Sequence, residues 1–238
     1  MLEYLIEIRR RAIKILILFG IFFTVLFFYA DELFYFFVSP LIQALPNHHT
    51  LIATDVTAPL MTPIKLALNV AMLITTPIAL FEVWQFISPG LYKHEKSHVK
   101  GIAVASFVLF FAGLGFCFFV VLPFILLFFA NTVPNGVQYM PDMTLAIDFI
   151  VHMLLVFGLC FQVPLVCLLL TQFGLTDVST LKTIRPYVIV SSFIIGMLLT
   201  PPDVLSQAML ALPLCLLYEL GIVLSSRLSR KSGHSVTD

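Results

Sequence analysis

The sequence predicts an all-α, polytopic membrane protein built on six transmembrane helices. Composition is the first observation: 60% of the 238 residues are hydrophobic and 11% are charged, against about 45–50% and about 25% in soluble domains. The second is a mean hydropathy of +1.05. The third is pattern, because the apolar residues run continuously instead of alternating, which argues against membrane strands. The formal net charge is zero, so nothing favours a nucleic-acid partner.

A helix crossing about 30 Å of hydrocarbon needs roughly 20 apolar residues. Six runs qualify or nearly qualify, at about 12–30, 66–87, 101–130, 146–173, 187–200 and 204–224. LIEIRRR, residues 5 to 11, precedes the first run, and Asp31 and Glu32 follow it in place of a small-residue cleavage site. No cleaved signal peptide is therefore expected. The third run holds Gly113, Gly115 and Pro123 and should tilt or kink. Arg185-Pro186 opens the fifth run and LLTPPD, 198 to 203, stops it. Its about 14 residues would span roughly 21 Å, short of a bilayer. Either the membrane thins there, or the hairpin of the fifth and sixth helices does not fully cross, or a short helix is buried behind its neighbours. No internal repeat stands out, and the chain reads as one membrane domain, 1–226, with a cytoplasmic tail, 227–238.

Twelve of the thirteen basic residues fall on one side of these spans, Lys65 being the exception. The positive-inside rule then places both termini in the cytoplasm, in agreement with an even number of spans.

Few residues are candidates for chemistry. Cys117, Cys160, Cys167 and Cys215 sit in apolar runs without metal spacing and read as small apolar side chains. HEKSH, 94 to 98, matches the zinc-protease pattern H-E-x-x-H. A catalytic zinc needs a third protein ligand, and by this topology Asp203 and His152 lie toward the far membrane face. No phosphate-binding G-x-x-x-x-G-K-[ST] appears, so nucleotide hydrolysis is not expected. Glu82 and Glu219, one to two turns inside spans two and six, are expected to snorkel to the interface. Gln162, about midway along span four, wants a hydrogen-bond partner from another helix, inside the protein or on a partner subunit. Asp148 and His152 form a local i, i+4 pair. Glu7 can pair with Arg10 or Arg11 on its own helix. With Glu95, set among Lys93, Lys96 and Lys100, it forms a pair of interfacial acids suited to a cationic ligand.

Four segments together resemble the TatC family of the twin-arginine translocase. LIEIRRR is similar to the family's amino-terminal L-x-E-L-R-x-R element. IATDVTAPLMTPIKL, 52 to 66, resembles its first outer loop, and VWQFISPGLYKHEK, 83 to 96, its W-x-F-x-x-P-x-L-y-x-x-E element. LLTPPDVLSQ, 198 to 207, resembles its last hairpin. The resemblance covers residues 2 to 226. It implies a glove-shaped six-helix fold in the bacterial inner membrane, with no enzymatic activity and no cofactor. It implies a receptor for twin-arginine signal peptides that works with the single-span subunits TatA and TatB, self-associates in a larger complex in the lipid, and exports folded proteins on the proton-motive force. Glu7 and Glu95 match the acids that receive the arginine pair, and Arg9 and Arg11 match arginines beside them. Met197 and Thr200 match residues near the partner-binding edge. Gln162 stands where the family usually has glutamate, which removes a proton-relay role and leaves a neutral contact with a partner helix. Structural roles are expected for Pro40, Pro201, Pro202 and Asp203. The alternatives are a zinc metalloprotease built on HEKSH, and a secondary transporter; against the latter, the strong interruption Pro201-Pro202 lies at a membrane face and not at the midplane.

Overall fold

A computed structural model describes residues 2–44, 51–87, 96–134, 137, 139–199 and 204–233. Among the described residues the regular structure is helical: α1 (Leu2–Phe28), α2 (Ala30–Ala44), α3 (Ala58–Ile87), α4 (Lys96–Phe116), α5 (Leu122–Asn131), α6 (Met143–Cys160), α7 (Val163–Gln172), α8 (Val178–Leu199) and α9 (Val204–Gly233). Among the described residues, six stretches are long and apolar enough to cross a membrane: Ile6–Phe28, Ala58–Phe86, Gly101–Asn131, Met143–Gln172, Val178–Leu199 and Gln207–Arg227.

The differences from the predicted spans have simple causes. α1 begins near the amino terminus and not at residue 12, because LEYLIEIRRR contains good helix formers and no glycine or proline. LIEIRRR is therefore helix, with Glu7 and Arg11 one turn apart on a single face. The first link contains a further helix, α2, whose Asp31 and Glu32 lie in the first turn, where the helix dipole favours acids.

Span three is not one regular α-helix. A π-helical turn, Cys117–Val121, separates α4 from α5, and Pro123 lies in the first turn of α5, where its missing N–H is harmless. Span four, predicted as one helix, is broken at Phe161-Gln162. Pro164 cannot donate to the preceding turn, and Gln162 N–H bonds back to Leu159 O in a tightened turn (3.0 Å).

The fifth helix corrects the sequence reading most. Pro186 lies inside α8 and does not open it, and the helix runs for 22 residues from Val178. Its first turns carry the polar residues Ser179, Thr180, Lys182 and Thr183, which broke the hydropathy signal but not the helix. The apolar part after Pro186 remains short.

The chain divides into two compact units: Met1–Gly90 with Phe116–Leu155, and Leu91–Gly115 with Val156–Asp238. In the first, α3 packs on α1 and α2, and α2 also packs on α5. Its core includes Val38, Leu41, Leu66, Val70, Leu122 and Ile147. Pro40 is buried in α2. In the second unit α9 packs against both α7 and α8. A core of Cys167, Leu181, Tyr218 and Ile222 joins them, and Tyr218 Oη donates to Leu181 O (2.8 Å). Gly113 and Gly158 let backbone and ring approach closely: a Cβ would stand 2.8 Å from Phe157 O at the first and 2.7 Å from Phe110 Cε2 at the second.

Candidate functional site

The polar cluster that the sequence places at the amino-terminal membrane edge is built within the first unit, from α1 and the end of α3. Arg11 is its centre. Nη2 and Nε donate to Glu7 Oε1, at 2.7 and 3.2 Å. Nη1 donates to Glu82 Oε2 at 2.6 Å, to Gln85 Oε1 at 3.0 Å and to the Glu82 carbonyl at 3.3 Å. Lys14 Nζ lies 3.7 Å from Glu82 Oε1. One guanidinium thus bridges two carboxylates on two helices. The two acids differ in setting, since the Glu7 side chain is 45% exposed and the Glu82 side chain 14%. Ile6, Glu7, Arg10, Arg11, Lys14 and Gln85 line an open cleft of about 460 Å³. Arg9 is exposed on the same helix.

The helical pairing of Glu7 with Arg11 is as the sequence suggests. The partner of Glu82 was not read from the sequence: its carboxylate is tied to Arg11 of α1. The readable signal was the Glu82–Gln85 spacing, which puts an acid and an amide on one face of the last turns of span two. Glu219 is held too, by Arg185 within the second unit, with Nη2 donating to Oε2 at 2.8 Å and Nε 2.8 Å from Oε1.

The opposite end of the first unit carries a different kind of site. Asp142 caps α6, its Oδ1 accepting from the Thr144 and Leu145 amides (2.8 and 3.0 Å). Its Oδ2 accepts from the Thr54 amide and hydroxyl (3.0 and 2.7 Å). A short parallel bridge, with Ile52 N donating to Pro141 O and Met143 N to Ile52 O, completes a clamp between the segments that precede α3 and α6. The Thr54 hydroxyl first, then the backbone amides, holds the Asp142 carboxyl down at about 2. Sequence reasoning missed this clamp, though an aspartate just before an apolar helical run is a capping signal. Asp148 accepts from Asn69 Nδ2 (3.2 Å), while His152 Nδ1 meets the Asp148 carbonyl oxygen, not its carboxylate.

In the second unit Gln162 is 4% exposed. Its Nε2 donates to the Ser106 carbonyl (2.8 Å) and its Oε1 accepts from the Ser106 hydroxyl (2.9 Å). Of the two readings of this amide, that geometry favours glue between α4 and the α6–α7 break over contact with a partner subunit. Met197 is 54% exposed on α8. Glu95, Thr200, Pro201, Pro202 and Asp203 lie outside the described residues, as does His94 of HEKSH. Among the described residues no three of His, Cys, Asp or Glu cluster as a metal site would need.

A family model, TatC, described as Sec-independent protein translocase protein, matches residues 3–213. The chain belongs to the TatC family. It is 42% identical to the Sec-independent protein translocase protein TatC of Escherichia coli strain K12 over 225 residues, which are 94% of this chain and 87% of that protein. It is 40% identical to the TatC of Haemophilus influenzae, over 94% of this chain and 88% of that one. A crystal structure of the twin arginine translocase receptor TatC matches with a TM-score of 0.85 at 33% identity, covering 95% of this chain and 99% of that chain. Family and helices together make this a multi-pass protein of the bacterial inner membrane and a component of protein translocation, not an enzyme.

Proposed function

We propose that this chain is the receptor subunit of a twin-arginine translocase and that its amino-terminal face lies in the cytoplasm. There it binds the consecutive arginines of signal peptides on folded cargo, in concert with TatA and TatB and at the expense of the proton-motive force. The observation that carries this reading is Glu7, a half-exposed carboxylate beside an open cleft, already engaged by a guanidinium. What it accepts from Arg11 it has the chemistry to accept from a ligand, since carboxylate and guanidinium pair through a planar fork that lysine lacks. Each such charge-assisted bond contributes about 1.5–3 kcal/mol, reduced by water and salt at this exposure. Glu95 is the second receiving acid on the family resemblance. Arg9 and Arg11 lie beside Glu7, Arg11 holding its carboxylate until the ligand arrives, and Arg9 also meets lipid phosphate. Both termini are cytoplasmic, in line with the charge bias of the sequence. The exposed face of α8 around Met197 is the docking edge for the single-span partners.

Crosslinking of a twin-arginine precursor to membranes holding Glu7→Ala or Glu95→Ala tests this. Each variant should insert normally and lose crosslinking, and unchanged crosslinking removes that residue from the site.

A further inference from the structure

This inference rests on the receptor reading and concerns how the site lets its ligand in. Arg11 contacts the two acids through different atoms. Nη2 and Nε reach Glu7, whereas Nη1 reaches Glu82 Oε2, Glu82 O and Gln85 Oε1. Breaking the Glu7 contacts therefore leaves three acceptors around Nη1. Arg11 is largely covered, with a side chain 17% exposed, so losing every anionic partner would strand a guanidinium away from full hydration. Glu7 also shares Oε1 between two Arg11 nitrogens. A bidentate fork from an incoming arginine needs both carboxylate oxygens, and so competes with Arg11 for Oε1.

We propose that Arg11 is an internal competitor for the signal arginine and that Glu82, with Gln85, is the positioning group that lets it yield. On binding, Glu7 exchanges one guanidinium for another, and Arg11 keeps its pairing through Nη1 to Glu82. Glu82 thereby sets the affinity of the site without touching the ligand. If Glu82 is neutralised, Arg11 has Glu7 as its remaining carboxylate and holds it against the signal.

The test is a double-mutant cycle read by titrating a synthetic twin-arginine signal peptide onto purified protein in lipid nanodiscs, with thermal stability recorded for each variant. Glu82→Gln should weaken binding by about tenfold, the scale of one charge-assisted bond. Arg11→Gln should tighten binding by about threefold, and Glu82→Gln should have no further effect in that background. Cancellation of the loss by a second mutation cannot come from a misfolded protein. No loss with Glu82→Gln, or a loss that persists in the double variant, overturns the exchange. Glu7→Gln is the control for the receptor reading: if it leaves peptide binding unchanged, that reading fails first, whereas loss with Glu7→Gln and none with Glu82→Gln defeats the exchange alone.

Discussion

Asp142 and Glu7 are carboxylates of the same unit, and both are engaged in hydrogen bonds, yet they are held by different kinds of donor. Asp142 accepts from three backbone amides and a hydroxyl, and the amides cannot swing away while the fold stands. Glu7 accepts from one long, charged side chain, which has other acceptors within reach. The first arrangement is a lock and the second an exchangeable pair. Fixed donors suit holding two loops together, and a movable donor suits a site that must open to a ligand of the same chemistry.

The sharpest way to break the comparison is to remove each carboxylate and read both stability and binding. Asp142→Ala should lower stability by about 2 kcal/mol, the sum of a lost helix cap and a lost strap, and leave signal-peptide binding unchanged. Glu7→Ala should abolish binding while shifting stability by less than about 1 kcal/mol, as expected for an exposed ion pair. Thermal unfolding and peptide titration on the same preparations give both numbers. A binding loss with Asp142→Ala would erase the distinction.

Gln162 offers an intermediate case, buried and paired with Ser106. Gln162→Leu should lower the stability of the isolated subunit by about 1 kcal/mol, the usual size of a polar contact between membrane helices, with normal co-purification of the single-span partners. Retained stability with lost partners would return this amide to the docking edge instead.

The smallest effect is in acid. The Asp142 carboxyl lies at about 2, below its ordinary 3.8. A depressed acid stabilises the fold fully above its unfolded value, and that contribution fades as pH falls toward the folded one. The stability gap between the wild type and Asp142→Ala should be constant above about pH 4 and shrink between there and about pH 2. A gap that widens on acidification would reverse the assignment.

How much of this was legible depended on whether the deciding contact was local. Six spans could be read from hydropathy alone, because apolar runs of this length are rare outside a membrane. The Glu7–Arg11 pair was legible too, being one turn apart in helix. A tilt or kink was expected in span three from Gly113, Gly115 and Pro123, but neither the π-turn before Pro123 nor the break before Pro164 was anticipated, though both lie beside a proline. What hydropathy hid was helix that is polar: the first turns of α8 and the segment of α1 before residue 12 look like links by composition. Contacts across more than seventy residues of chain, Arg11 with Glu82 and Thr54 with Asp142, leave at most a hint of one partner and no local trace of the pairing. Glu82 and Glu219 looked like isolated acids near helix ends in the sequence, whereas each is paired with an arginine on a neighbouring helix.

The central claim is that Glu7 reads guanidinium as a fork and not as a bare positive charge. Titrating paired signal peptides, one with two arginines and one with two lysines, onto wild-type protein and onto Glu7→Gln tests it most directly. The account predicts that the wild type prefers arginine by about tenfold, the worth of one charge-assisted bond, and that the preference collapses in Glu7→Gln. The same preference in both proteins would contradict it.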